Sequence, residues 1–157
     1  MTDDPIGQGV YLETNFFIKA VEGIPEDADP PKKLIEVLRT RPGLAITSEI
    51  TLAETLAPPR RPDALPLHIK RRVYLDLLVW SRFITLMPVS RDILIDTADL
   101  RSVARMKLPD AIHLVSAIRG SCRYIVSSDS DFDRLPRGRT RIAPDVAGID
   151  NLLKALA

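Results

Sequence analysis

The stretch LPDAIHLVSAIRGSCRYIVSSDSDF, Leu108 to Phe132, constrains the fold more than any other part of the chain. It reads as a helix, a tight turn, a strand and a loop crowded with carboxylates. Pro109 suits the first helical position, where its missing N–H leaves no bond unmade. Ala111, Val115 and Ile118 recur at i, i+4 and i+7 and give the helix one apolar face. Gly120 is a stop signal, and Tyr124-Ile125-Val126 makes a short buried strand. Asp110 then falls in the first turn of a helix, while Asp129 and Asp131 follow the carboxyl end of a strand. In α/β folds ligand chemistry collects at that end of the strands.

The rest of the chain repeats the pattern. Gly9-Val10-Tyr11-Leu12 reads as a first strand that ends at Glu13. Thr14 or Asn15 caps a short helix from Phe16 to Val21. Gly23 to Pro31, with three prolines, reads as a loop before a helix over Lys32 to Arg39. After the Pro42-Gly43 turn, Leu44 to Thr47 is a second strand. Ser48 caps a helix over Glu49 to Leu56, with Ile50, Ala53 and Ala57 on one face and Glu54 in the second turn. Ala57 to Pro66, with four prolines, is a stiff surface loop. A helix over Leu67 to Arg82 has Val73, Leu77 and Trp80 inside. Phe83 to Val89 is a strand that Pro88 confines to an edge or an end. Ser90 caps a helix to about Met106, Thr140 to Ile142 is a last strand, and Ile149 to Leu156 a terminal helix. Strands alternating with helices predict an α/β fold, a mostly parallel sheet with helices on both faces. Right-handed crossovers put all the strands' carboxyl ends on one edge.

The chain has 157 residues, which suits one domain with its own core. Cys122 is the sole cysteine, so an internal disulfide and a cysteine-based zinc site are both excluded. Only His68 and His113 are histidines, too few for a histidine-rich metal centre. No apolar run reaches the roughly 18 residues of a membrane span, and MTDDPIGQG is too polar for a signal peptide. A cytoplasmic location is the expectation. Net charge is +1, but Arg60-Arg61, Lys70-Arg71-Arg72 and the series Arg134, Arg137, Arg139, Arg141 form local basic clusters.

Each acid has an ordinary explanation when taken alone. Glu13 suits a solvated strand end, Glu54 an exposed helix face, and Asp110 complements a helix dipole. Asp129 and Asp131 suit a turn, where aspartate bonds its own backbone. His113, three residues after Asp110, reads as a core histidine or a support for a nearby ligand. Together the acids say more. Carboxylates converging without a cation repel one another and raise some of their pKa values. Oxygen-only ligands suit magnesium or manganese, which would polarise a phosphodiester and acidify an attacking water.

The order VYLETN, SEITLAETL, LPDAIHLVSAIRG and YIVSSDSDF resembles PIN domains, most of all the toxins of VapBC-type bacterial toxin–antitoxin pairs. The resemblance spans nearly the whole chain, and its third and fourth stretches are the specific ones. It implies a single domain, a PIN-like three-layer sandwich with about five strands. It also implies a metal-dependent endoribonuclease using Mg2+ or Mn2+. The family's four acids fall on Glu13, Glu54, Asp110 and Asp129. Glu13, Asp110, Asp129 and Asp131 would hold the metal, with Asn15 and Ser127 as supporting polar groups. Arg60, Arg61, Lys70, Arg71 and Arg72 would grip the RNA backbone, and binding would be salt-sensitive. A cognate antitoxin and a homodimer are the implied partners.

One departure is Glu13, where the family most often has aspartate. It favours a second reading, a PIN-fold module that binds RNA or a partner without cutting. A response-regulator phosphoacceptor is disfavoured, because no late strand ends in the lysine it needs.

Overall fold

The structure, a computed structural model, describes residues 6–157. Residues 1–5, the start of the polar stretch read against a signal peptide, lie outside them. The strands are β1 (Gly9–Leu12), β2 (Ala45–Ser48), β3 (Ile84–Met87), β4 (Cys122–Val126) and β5 (Thr140–Ile142). They form one wholly parallel sheet in the order β3-β2-β1-β4-β5. The chain builds outward from β1 to β2 and β3, then crosses back to β4 on the other side. The order therefore reverses about β1, and the crevice between β1 and β4 is the place where α/β sheets bind ligands. Leu12 pairs with Val126, so these two strands end level with each other.

The helices are α1 (Thr14–Glu22), α2 (Pro25–Arg39), α3 (Ile50–Leu56), α4 (Leu67–Leu75), α5 (Arg91–Val103), α6 (Leu108–Arg119) and α7 (Val146–Leu156). Alternation along each strand sends side chains to both faces. Val10, Leu12, Ala45 and Val126 pack against Phe16 and Phe17 of α1, Leu34 and Leu38 of α2, and Ile149 and Leu152 of α7. Tyr11 and Ile125 point the other way, onto Leu114 and Ala117 of α6 and onto Phe132. Ile93 ties α5 to Ile112 and Val115 of the same helix. The three-layer sandwich read from the sequence is the observed architecture. Among the described residues no helix is long and apolar enough to cross a membrane.

Three local expectations give way in the folded chain. The proline-rich segment expected as a loop is the first half of α2, which starts at Pro25 and contains Pro30 and Pro31. Pro25 takes the first-turn position, where no N–H is needed, and Glu26 and Asp27 complement the dipole there. Pro30 and Pro31 each lack a donor, yet both rings are buried with Ala28, Leu34 and Leu38, and that packing outweighs propensity. On α3 the buried face is Thr51 and Thr55, not Ile50 and Ala53. Both hydroxyls are hydrogen-bonded, to Thr47 at 2.9 Å and to the Thr51 carbonyl at 2.7 Å, so burying them costs little. The helix expected over residues 67–82 breaks after Leu75 into one π turn over Asp76–Trp80. The wider turn rotates the face: Lys70, Tyr74, Leu77 and Leu78 point inward, while Trp80 is 59% exposed.

The turn into β4 also differs in detail. Gly120 ends α6, but Ser121 takes the left-handed backbone, with φ of 54°. Gly120 sits where space is tight, since a Cβ there would meet the Met87 sulfur at 3.0 Å and the Ser116 carbonyl at 3.2 Å. Ser90 caps α5 as expected, accepting from the Ile93 N–H at 3.3 Å.

Candidate active site

β1 delivers Glu13 at its carboxyl end, and Glu13 itself is the N-cap of α1. Its Oε2 accepts from the Asn15 N–H at 3.3 Å. Neither Thr14 nor Asn15 caps the helix, because the longer glutamate curls back over the first turn. Their side chains are thereby free for other partners. The Thr14 hydroxyl donates to Glu54 Oε1 at 2.8 Å. The Asn15 amide reaches the β4 loop, donating to Ser127 Oγ at 3.3 Å and accepting from the Ser128 N–H at 3.2 Å.

Ser127 is the junction of that loop. Its hydroxyl donates to Glu13 Oε2 at 3.2 Å and accepts from the Asp129 N–H at 3.0 Å, besides the Asn15 bond. One donor and two acceptor positions are all that a serine hydroxyl has. Asp129 caps the short 3-10 turn Ser130–Asp133, with Oδ1 accepting from the Asp131 N–H at 2.9 Å. Arg141 braces the loop from β5, donating to the Ser127 carbonyl at 3.0 Å and pairing with Asp133. This member of the predicted basic cluster is thus occupied inside the protein.

The acids divide into two groups. Asp110, from the first turn of α6, meets Asp129 and Asp131, with one carboxylate oxygen of each within 4.8 Å of the others. The pKa of Asp110 is raised, first by burial and then by the charge of Asp129, with Asp131 adding to it. Glu13 and Glu54 form the second group, around His113. His113 is fully buried one turn beyond Asp110 on α6. Its Nδ1 lies 2.7 Å from the Tyr11 hydroxyl and its Nε2 2.7 Å from Glu54 Oε1. With Nδ1 accepting from tyrosine, the ring proton sits on Nε2 and is donated to the glutamate. Burial works against the charge of Glu54, but the His113 and Thr14 bonds outweigh it, and its pKa is lowered. Glu13 is raised, because burial outweighs the help of His113 and the Asn15 N–H. Its Oε1 is 3.8 Å from His113 Nε2, beyond hydrogen-bonding distance.

The PIN domain family model matches residues 10–138. The chain belongs to the PIN domain family. Solved structures with this fold include a toxin–antitoxin complex from Klebsiella pneumoniae, at 24% identity and a TM-score of 0.62, covering 87% of this chain and 98% of that one. DNA-bound VapBC from Salmonella typhimurium is similar at 18% identity and a TM-score of 0.65, covering 88% and 99%. VapC20 from Mycobacterium tuberculosis, described as a sarcin–ricin loop cleaving toxin, is similar at 16% identity and 0.61, covering 80% and 93%. No curated protein sequence matches this one.

In this PIN domain, the structure gathers every acid singled out in the sequence at the carboxyl edge of the sheet, but not into one cluster. Asp110, Asp129 and Asp131 converge, whereas Glu13 is held by Ser127 and Asn15, and Glu54 by His113 and Thr14. Of the predicted RNA-contacting residues, Arg60, Arg61 and Lys70 line one cleft together with Glu54. Arg71 and Arg72 are exposed on α4 and are not among that cleft's lining residues. Tyr11 and Thr14 escaped the sequence reading as members of the site. Tyr11 alternates with the apolar Val10 and Leu12, so it looked like one more core residue; only the sheet's other face reveals its hydroxyl partner.

Proposed function

We propose that this PIN domain is a metal-dependent endoribonuclease, the toxin of a toxin–antitoxin pair. The observation that carries the reading is the convergence of Asp110, Asp129 and Asp131 beside the β1–β4 crevice. Three carboxylate oxygens within 4.8 Å of one another repel, and that repulsion adds to burial in raising the pKa of Asp110. The donor set is all oxygen, which fits Mg2+ or Mn2+ better than a metal that prefers nitrogen or sulfur.

Asp110, Asp129 and Asp131 would hold the ion, and Ser127 would fix the loop that carries two of them. A divalent ion bound there supplies Lewis-acid polarisation of a phosphodiester and a more acidic water. Glu54 stays ionised, because the Thr14 hydroxyl and His113 both bond its Oε1. Glu13 Oε1 makes no hydrogen bond among the described residues and is placed to take a proton. Two carboxylates pushed apart by their surroundings suit this division of roles. Arg60, Arg61 and Lys70 carry positive charge up to Glu54 and favour a phosphate-bearing substrate. An antitoxin, a second copy of the chain and a cytoplasmic location belong to the same proposal. The similar Klebsiella structure is itself a toxin–antitoxin complex.

The test is cleavage of a labelled RNA with Mn2+ by wild type, Asp110→Asn and Asp129→Asn. Loss of a group that only supports a metal ligand costs about 10–100-fold, so either variant should lose at least ~100-fold. Equal cleavage by all three would overturn the reading. A binding module that does not cut is favoured by one observation: Glu13 Oε2 is already taken by Ser127 and the Asn15 N–H. RNA binding with no cleavage by wild type would select it.

A further inference from the structure

The stiff loop after α3 and the start of α4 enclose a cleft of about 360 Å³. Its walls are Ala57, Pro58, Pro59 and Ala64, with Arg60, Arg61 and Lys70 as its cations. Its carboxylates are Glu22 and Glu54, so it opens directly beside the candidate active site. Lys70 is 7% exposed. Its ammonium donates once, to the Ala57 carbonyl at 3.0 Å. No carboxylate lies within 4 Å of it among the described residues. An ammonium has three donors, and a buried charge without a counter-charge is costly. The two carboxylates on the walls form no ion pair with it and bond elsewhere, Glu22 with the Tyr74 hydroxyl and Glu54 with His113 and Thr14. Arg60 and Arg61 likewise have no ion-pair partner among the described residues. The prolines preset the loop, so little chain entropy is lost when an anion is bound.

We propose that the Lys70–Arg60–Arg61 cleft binds the backbone phosphate of an RNA nucleotide flanking the linkage at the acids, and so sets the strand's register on the site. That the bound nucleotide flanks the cleaved linkage rests on the nuclease reading; the phosphate site itself does not. Lys70 supplies the fixed point charge at the base of the cleft. Arg60 and Arg61 close over the phosphate from the loop.

The test is a binding measurement that needs no cleavage. The anisotropy of a labelled single-stranded RNA is titrated without divalent metal, at several salt concentrations. The proteins are wild type, Lys70→Met, the double variant Arg60→Gln/Arg61→Gln, and Lys154→Gln as a charge control on the exposed end of α7. Lys70→Met nearly keeps the side chain's shape, and the double variant changes only the exposed loop, so a folding defect in one leaves the other to decide. The expected result is about tenfold weaker binding in each cleft variant, with the salt slope reduced by about 0.7 per lost phosphate contact. The control should match wild type. Unchanged affinity and slope in the cleft variants would overturn the proposal, as would an equal loss in the control, which would make the attraction diffuse. Inorganic phosphate bound with Lys70 dependence, while RNA affinity ignores Lys70, would also overturn it. Lys70-dependent binding by a protein that cuts no RNA would leave the phosphate site standing and remove the nuclease reading.

Discussion

Two acidic groups lie side by side at the end of one sheet, and they are stabilised in opposite ways. Around His113, bonds from inside the protein hold Glu54 ionised and bind one oxygen of Glu13, whose pKa burial still raises. Tyr11, Thr14, Asn15 and Ser127 aim hydrogen bonds at them or at the ring between them. Around Asp110, no cation of the protein pairs with the three aspartates among the described residues. A fold can hold carboxylates close in both ways, but only the second arrangement is left wanting a positive ion. On the proposed function, the ion goes to the second group, while the first is held by the protein's own bonds.

The hardest blow to the contrast is His113→Ala. It strands the buried Tyr11 hydroxyl and takes a partner from Glu54, and broken networks of this kind cost about 2–4 kcal/mol. For a chain of this size that is a fall in melting temperature of roughly 4–16 °C. A fall below about 2 °C would mean that the network is not built as described. Ser127→Ala comes next. It unties Glu13, Asn15 and the Asp129 N–H at once and should cost about 1–2 kcal/mol, read from urea unfolding.

Asp110→Asn should act in the other direction. Its folded pKa lies above the ordinary aspartate value near 4, so its ionisation destabilises the fold. That contribution to stability is full below the ordinary value and is lost as pH rises through the raised one. Without divalent metal, the contribution of this group should therefore fall as pH climbs from about 4 toward neutral, and the stability difference between Asp110→Asn and wild type should grow over the same range. Asp129, Asp131, His113 and Lys107 are the charges that bear on this group. The gain at neutral pH should be a few tenths to about 1 kcal/mol, the scale of half-exposed charge interactions. Destabilisation by Asp110→Asn would contradict the account. The smallest effect belongs to Asp131→Asn. Asp131 is exposed, and its bond to Asp129 comes from the backbone, so the unfolding energy should move by less than about 0.5 kcal/mol.

The same division explains what could be read from the sequence. The strands were legible because short buried runs such as Val10 to Leu12 and Tyr124 to Val126 lie between turn signals. The acids were legible because each stands just past a strand end or within the first two turns of a helix. The sheet order was not, since periodicity says which residues are buried but not which strand is the neighbour. The α2 prolines misled because breaking rules describe an isolated helix, and Pro30 and Pro31 are held by packing. The inward face of α4 was hidden by the π turn, which no local pattern announces. In the sequence Lys70 is one of a run of three basic residues with nothing to set it apart, and only the enclosing loop makes it a buried charge.

The most direct measurement is a calorimetric titration with Mn2+ of wild type, Asp110→Asn and Glu54→Gln. The account predicts a binding isotherm in wild type, at least tenfold weaker binding in Asp110→Asn, and an affinity in Glu54→Gln within a few-fold of wild type. Mn2+ binding that survives Asp110→Asn unchanged, or that Glu54→Gln abolishes to the same degree, would contradict it.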